Sequence, residues 1–132
     1  SCVAANRRCP LFGFFMVGAF TMFAAAAMPK RIGAIASFHG GGLATDNADS
    51  PNHTVVESDA LALHAIAESD NERSPEMQPM LKEAYRAAGL TAHIEVYPDT
   101  LHGWTPPDSK VYNEKQAERA WQQTLALFKQ AL

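Results

Sequence analysis

At 132 residues the chain has room for one domain, predicted to span residues 1–132, with a single hydrophobic core. Hydrophobic residues make up 47% and charged residues 19%, a balance typical of globular rather than disordered proteins. The net charge of −3, with Lys and Arg scattered along the sequence, gives no electrostatic reason to expect nucleic acid as a partner.

The two cysteines, Cys2 and Cys9, both lie in the first ten residues. A small secreted domain built on disulfides carries more cysteines, spread along its length. The sequence contains neither a CxxC pair nor an HExxH motif, which are the usual signatures of zinc sites. These features predict a cytoplasmic protein without a metal or other cofactor.

An uncharged run extends from residue 10 to residue 28, with two basic residues close to each end. Its length permits a membrane span or a signal segment. The alternative is a strand followed by a helix, both buried in an α/β core. Gly13 and Gly18 interrupt the run as a strand–turn–helix junction would. We favour the core alternative and expect no membrane association.

Two further apolar stretches have the length of strands. The first covers residues 32–38 and stops at His39-Gly40-Gly41-Gly42. The second covers residues 61–67 and ends before Glu68-Ser69-Asp70. The segment between them, residues 44–59, is rich in Asp, Asn, Ser and Pro, which predicts a long loop near a functional site.

A helix follows, although its start is ambiguous. Ser74 and Pro75 suit a cap and a first helical residue, but Pro79 would then break a hydrogen bond one turn later. Apolar residues at helical spacing continue to Gly89, which fits the position just beyond the helix end. Residues 92–97 alternate as a strand.

The last predicted helix has the clearest signals. Asn113 is placed to cap it, with Gln116 three residues later as in a capping box. Strands that alternate with helices favour a mostly parallel sheet covered on both faces. The fold class is therefore α/β, with about four strands.

Three side chains follow predicted strands: Phe15, Asp70 and His102. Functional residues of parallel sheets gather at the carboxyl ends of the strands. In α/β-hydrolases the chain order at this edge is nucleophile, acid, histidine. The spacing between Asp70 and His102 holds one helix and one strand, as that fold requires.

Five segments carry a resemblance to a known family. They are Gly13-Phe14-Phe15-Met16-Val17-Gly18, Ser37-Phe38-His39-Gly40-Gly41-Gly42, Glu68-Ser69-Asp70-Asn71, Tyr97-Pro98-Asp99-Thr100-Leu101-His102-Gly103-Trp104 and Ala117-Glu118-Arg119-Ala120-Trp121. Together they resemble successive landmarks of the dienelactone hydrolase family, over residues 11–132. The family hydrolyses esters and lactones through a Cys or Ser nucleophile, an Asp or Glu, and a His. The resemblance implies that Asp70 orients His102, which acts as general base and then general acid.

The chain departs from the family pattern at the nucleophile. The elbow should read Gly-x-Cys/Ser-x-Gly, but Phe15 stands at the nucleophile position and Val17 at the second glycine. A phenyl ring cannot attack a carbonyl, and a β-branched residue fits a turn with positive φ poorly. The family's N-terminal half, with its second oxyanion donor, is absent, so the resemblance predicts a truncated α/β-hydrolase fold. The backbone N–H of Met16 remains as one oxyanion donor.

Two other side chains are possible nucleophiles. Cys9 precedes the elbow, although a small buried core residue is the more ordinary interpretation. Ser37 ends a neighbouring strand, where most hydroxyls are structural. His39 stands at the end of the same strand, either lining the pocket or packing beside the turn.

Two functional hypotheses follow. The first is a carboxylic-ester hydrolase for small esters or lactones, with Asp70 and His102 and an unconventional or lost nucleophile. The second is a non-catalytic homologue that serves as an oligomerising or binding domain. In either case the strand before Phe15 would lie at an open sheet edge among apolar residues, which predicts a homo-oligomer.

Overall fold

The computed structural model describes residues 7–132. Cys2 lies outside the described residues. Four strands, four α-helices and one 3₁₀ helix make up the described chain. In chain order they are β1 (Cys9–Phe14), α1 (Val17–Ala27), β2 (Ile32–Phe38), the 3₁₀ helix (Pro51–Glu57), β3 (Leu61–Ala67), α2 (Glu68–Arg73), α3 (Met77–Ala88), β4 (Ala92–Tyr97) and α4 (Glu114–Ala131).

The four strands form one sheet in the order β1-β2-β3-β4, and every neighbouring pair is parallel. Connections between parallel strands must cross a face of the sheet, which is why each strand here is followed by helical chain. The α/β class and the four parallel strands predicted from the sequence are confirmed. Two strands, β1 and β4, are left at the edges of this sheet.

A hydrophobic core lies on each face of the sheet. On one face, side chains of α1, the 3₁₀ helix and α3 pack against Ile35, Ile66 and their neighbours. On the other face α4 packs against Phe38, Leu63 and Trp104. Both β2 and β3 are almost entirely buried because they are covered on both faces and paired on both sides.

The uncharged run of residues 10–28 folds as β1, a tight turn and α1. This is the strand–turn–helix arrangement that the two glycines favoured. Within residues 7–132, none of the helices combines the length and the apolar character that a bilayer crossing requires.

Three local predictions need correction. Residues 51–57 of the predicted loop form a 3₁₀ helix that begins at Pro51. The short helix α2 follows β3 directly and was not foreseen. Helix α3 begins at Met77, not at Ser74, so Pro79 lies in the first turn. The backbone N–H groups of a first turn have no partner within the helix, and proline costs no hydrogen bond there.

Two helix ends agree with their sequence signals. The Asn113 side chain accepts a hydrogen bond from the Gln116 backbone N–H at 3.1 Å and so caps α4. Gly89 ends α3 with φ +69°, a left-handed conformation that costs glycine little. Both ends therefore form as the sequence predicts.

Candidate active site at the carboxyl edge of the sheet

The turn between β1 and α1 has the geometry of a nucleophile elbow. Phe15 has φ +53°, which is uncommon for a bulky residue and signals backbone strain. Two hydrogen bonds hold the turn: the Phe15 N–H donates to the Phe38 carbonyl and the Gly18 N–H donates to the Phe15 carbonyl, each at 3.1 Å. The sharp turn is thus present although its central residue is phenylalanine.

The expected misfit of Val17 does not occur, because the positive φ falls on Phe15. Val17 is the first residue of α1 and adopts ordinary helical geometry. Its side chain packs closely over Gly13, where an added Cβ would lie 2.7 Å from Val17 Cγ1. A Cβ on Gly18 would lie 2.2 Å from Ser37 Oγ. Glycine is therefore required at both flanks of the elbow by close packing.

Asp70 and His102 lie together at the same edge of the sheet. Asp70 is in the first turn of α2, just after β3, and its side chain is almost completely buried. His102 is in the loop after β4, with 39% of its side chain exposed. His102 Nδ1 lies 2.7 Å from Asp70 Oδ2, so the ring donates this hydrogen bond to the carboxylate. The bond directs Nε2 away from Asp70.

The loop that carries His102 is tied to the start of α2 by four hydrogen bonds that involve backbone groups, one of them from the Ser69 N–H to the Thr100 carbonyl at 3.3 Å. The His102 backbone N–H donates to Ser69 Oγ at 2.9 Å. The Glu68 backbone N–H donates to Thr100 Oγ1 at 2.9 Å, and the Asp99 N–H donates to Glu68 Oε2 at 3.0 Å. The backbone around the histidine is therefore bonded directly to the residues that flank the acid.

His39 is buried beneath His102. Its Nε2 lies 2.8 Å from Thr105 Oγ1, and its ring centroid is 5.8 Å from that of His102. Burial, and then the nearby charge of His102 when protonated, lower the pKa of His39 from 6.5 to about 4. His39 is therefore neutral at physiological pH, and its burial places it under the site as packing.

The Phe15 ring fills the space between the two histidines. Its centroid lies 4.4 Å from the His39 ring and 5.0 Å from the His102 ring. A Cβ added at Gly103 would meet the same ring at 3.3 Å. The side chain at the elbow thus lies against His102, where a nucleophile would stand, but it is an aromatic ring.

Neither possible nucleophile is brought to His102. Ser37 is buried under the elbow on the α1 side of the sheet, and its Oγ has no hydrogen-bond partner among residues 7–132. Cys9 begins β1 at the amino end of the strand, about 20 Å of extended chain before Phe15. The structure therefore separates both side chains from the proposed base.

Met16 is at the N-terminus of α1, directly after the elbow. Its backbone N–H has no hydrogen-bond acceptor within the part of the chain that the structure describes. The first N–H groups of a helix are unsatisfied within it and favour a negative charge nearby. Within residues 7–132 no three His, Cys, Asp or Glu side chains are grouped so as to hold a metal ion.

A small cavity of about 130 Å³ lies on the α4 side of this edge. Aromatic rings make up much of its wall, and Thr105, the partner of His39, also borders it. Its lining residues are Phe14, Phe38, Thr105, Pro107, Tyr112, Ala117, Glu118 and Trp121.

Sequence reasoning missed several residues that hold the site. Thr105 hydrogen-bonds to His39, and Thr100 hydrogen-bonds to Glu68. These partners are far apart in the chain, so no local sequence pattern predicts the pairs. Ser69 is not among the predicted site residues, yet its Oγ accepts a hydrogen bond from the His102 backbone N–H. Its position directly beside Asp70 was the available signal.

The comparisons with known proteins agree with this geometry. Residues 3–132 match the family model described as the dienelactone hydrolase family. A "Putative carboxymethylenebutenolidase" of Salmonella typhi is 30% identical over 127 residues, which cover 94% of this chain and 47% of that protein. The protein of the same name from Escherichia coli K12 is 32% identical over 128 residues, 94% of this chain and 46% of its own length. The chain spans about half the length of the curated relatives it matches.

Solved structures show the same fold. A structure described as a putative dienelactone hydrolase from Klebsiella pneumoniae superposes with a TM-score of 0.79 at 28% identity, covering 92% of this chain and 51% of that one. A dienelactone hydrolase-like promiscuous phosphotriesterase from metagenomic libraries gives a TM-score of 0.77 at 19% identity, with 92% and 52% covered. At that identity the second likeness concerns the fold alone.

Proposed function

This chain belongs to the dienelactone hydrolase family, and we propose that its Asp70–His102 pair serves the hydrolysis of small carboxylic esters or lactones. The observation that carries the proposal is the 2.7 Å hydrogen bond between His102 Nδ1 and Asp70 Oδ2. It fixes the imidazole tautomer and leaves Nε2 as the basic nitrogen. Nε2 has no hydrogen-bond partner among the described residues, and the ring is open to water.

In this proposal the nucleophile is water. His102 Nε2 takes a proton from a water molecule. As it does so, the oxygen of that water attacks the ester carbonyl carbon and forms a tetrahedral intermediate. The C–O bond to the leaving group then breaks, and His102 returns the proton to the departing alkoxide. No covalent enzyme intermediate is needed, which is consistent with Phe15 at the elbow, with Cys9 at the opposite end of β1, and with Ser37 buried beneath the elbow.

The Met16 backbone N–H is the proposed donor to the negative oxygen of the tetrahedral intermediate. It lies one residue after the elbow, at the positive end of the α1 dipole. Asp70 stabilises the imidazolium that forms during the reaction and is itself not protonated.

The test is hydrolysis of a short-chain aryl ester and a simple lactone by the purified chain. We expect His102→Ala to lower the rate by about 10²–10⁴-fold, because a positioned general base contributes that much. His53→Ala is the matched control, since His53 is exposed and belongs to the 3₁₀ helix. Cys9→Ala should leave the rate unchanged. An unchanged rate in His102→Ala, or loss of activity in Cys9→Ala with the fold intact, would contradict the proposal.

One observation favours a second candidate, a non-catalytic binding or oligomerising domain. The Phe15 ring occupies the space beside His102 where the family's nucleophile would stand. In that case the wild-type chain and His102→Ala would hydrolyse esters at the same rate, although the wild-type chain contains the Asp70–His102 hydrogen bond. The same assay therefore distinguishes the two functions.

A further inference from the structure

We propose that Asn113 and Glu68 are positioning residues for His102, because their side chains hold the backbone of the loop that carries this histidine. The inference rests on the proposed function, in which His102 acts as the base. It concerns the loop that follows β4, residues 98–104, which we call the histidine loop.

The histidine loop contains a strained residue, Asp99, three positions before His102. Its φ is +58°, in the left-handed region that residues other than glycine adopt at a cost in energy. Asp99 is exposed, so burial of its own side chain does not hold it in this conformation. Strain of this kind persists only where the surroundings impose it. The cause must therefore lie in the bonds that the Asp99 backbone makes.

Two side chains from different elements bind the backbone of Asp99. The Asp99 N–H donates to Glu68 Oε2 at 3.0 Å, and Asn113 Nδ2 donates to the Asp99 carbonyl at 2.9 Å. Glu68 is the first residue of α2, and Asn113 is the cap of α4. Rotation of Asp99 to a negative φ would turn its N–H and its carbonyl relative to each other and break at least one of these bonds. The two side chains therefore fix the strained conformation.

Asn113 also holds the histidine loop on the other side of His102. Its backbone N–H donates to the Trp104 carbonyl at 3.0 Å. One residue thus binds the chain three positions before the histidine and two positions after it. Asn113 Oδ1 separately accepts a hydrogen bond from the Gln116 N–H and caps α4. The oxygen of this side chain therefore stabilises the helix, while its nitrogen binds the loop.

The placement of His102 matters because its ring must donate to Asp70 through Nδ1 and present Nε2 to the reacting water. The side chain of His102 is 39% exposed, so packing covers only part of it. A misplacement of about 1 Å in a catalytic group can cost about 10²-fold in rate. The backbone bonds of the histidine loop therefore supply order that the packing of the ring does not.

Asn113→Asp and Asn113→Ser separate the two roles of Asn113. Both keep an oxygen that caps α4, but neither carries the Nδ2 amide that reaches the Asp99 carbonyl. By NMR, we expect the His102 Nδ1 proton to exchange with water about fivefold faster in both variants, the factor of one net hydrogen bond. Exchange of the α4 backbone amides should stay as in the wild-type chain, because the cap remains. Gln122→Glu is the matched control, since it exchanges an amide for a carboxylate at an exposed position of α4.

Glu68 and Asp99 test the rest of the proposal by the same measurement. Glu68→Ala removes the acceptor of the Asp99 N–H and should speed exchange of the His102 Nδ1 proton. Glu68→Gln keeps an acceptor oxygen and should retain more of the protection than Glu68→Ala does. Asp99→Gly, added to Asn113→Ser, should slow the exchange again, because glycine adopts a positive φ without strain.

Ester hydrolysis gives a separate reading. In an active chain, kcat should fall about fivefold in both Asn113 variants with KM unchanged, because a misplaced base weakens the transition state and not substrate binding. A wild-type chain without activity would refute the enzymatic proposal, whereas the NMR measurement would still decide the positioning roles.

Three NMR results would overturn those roles. One is equal exchange of the His102 Nδ1 proton in the wild type and both Asn113 variants. Another is a double variant, Asn113→Ser with Asp99→Gly, whose exchange is no slower than that of Asn113→Ser alone. The third is a wild-type Nδ1 proton that exchanges too fast to be observed, since the histidine would then not be held.

Discussion

The two edge strands of the sheet are built in opposite ways. At β4, His93 Nε2 lies 2.9 Å from Glu95 Oε1, and Glu95 also pairs with Arg119. Charged side chains at an edge hinder pairing with other chains. At β1 no charge is present, and Phe12 is 48% exposed. Among the described strands, β4 therefore carries charged side chains suited to contact with water, whereas β1 has the apolar composition of a buried strand.

The candidate active site is divided along the same line. The acid and the histidine follow β3 and β4, and a set of hydrogen bonds ties their loops together. The elbow follows β1 and keeps its strained backbone, but it carries a side chain without nucleophilic chemistry. The β4 side therefore holds the hydrogen-bonded Asp70–His102 pair, whereas the β1 side places a phenylalanine at the elbow.

The two tryptophans give the largest expected difference between the sides. Trp104, after β4, is completely buried between Tyr97 and His39, with ring centroids 5.4 Å and 5.3 Å away. Trp104→Ala should lower the free energy of unfolding by about 3–5 kcal/mol. Trp121, beside Phe12, is 39% exposed, and Trp121→Ala should cost about 1 kcal/mol. Urea unfolding at one fixed protein concentration measures both, and equal losses would contradict the comparison.

A smaller effect is expected from the charges that protect the β4 edge. Burial raises the pKa of Glu95, but hydrogen bonds from Arg119 and His93 outweigh it and hold that pKa below 4.5. A lowered carboxyl pKa stabilises the fold above the unfolded value, and the contribution is lost as pH falls through the folded value. Glu95→Gln should therefore cost at most about 1 kcal/mol at pH 7 and progressively less below pH 4.5.

The control for that measurement is Glu57→Gln, because Glu57 is exposed at the end of the 3₁₀ helix. Chemical unfolding at several pH values gives the comparison. If Glu95→Gln lowered the free energy of unfolding more at acid pH than at pH 7, the lowered pKa of Glu95 would be contradicted. If it lowered that free energy no more than Glu57→Gln does, the hydrogen bonds of Glu95 would not stabilise the fold.

Local signals predicted much of the fold, and the site residues at strand ends followed from the order of the elements. The cap at Asn113 and the αL residue at Gly89 depend on neighbours within a few positions, so sequence was sufficient. The sequence leaves the start of α3 ambiguous because Ser74 and Pro75 resemble a cap, whereas in the structure the helix begins at the buried Met77. The bond between Thr105 and His39 joins residues 66 positions apart, and no single-sequence pattern encodes it.

The strained residue of the elbow was also misassigned. Because Val17 stands where the family pattern has its second glycine, a positive φ was expected to strain the backbone there. In the structure the residue with positive φ is Phe15. Strain at a functional turn persists only where the surroundings impose it. Here the hydrogen bonds at Phe15 and the packing over Gly13 and Gly18 impose it, and these are properties of the assembled turn.

The central claim is that the Asp70–His102 pair can serve ester hydrolysis and that it lacks a nucleophilic side chain because Phe15 stands at the elbow. Phe15→Cys tests it most directly, with Phe15→Ala as the control that removes the ring without adding a nucleophile. The account predicts that Phe15→Cys hydrolyses a short-chain ester about 100-fold faster than Phe15→Ala or wild type, and that adding His102→Ala abolishes the gain. A folded Phe15→Cys variant no faster than Phe15→Ala, or a gain that survives His102→Ala, would contradict it.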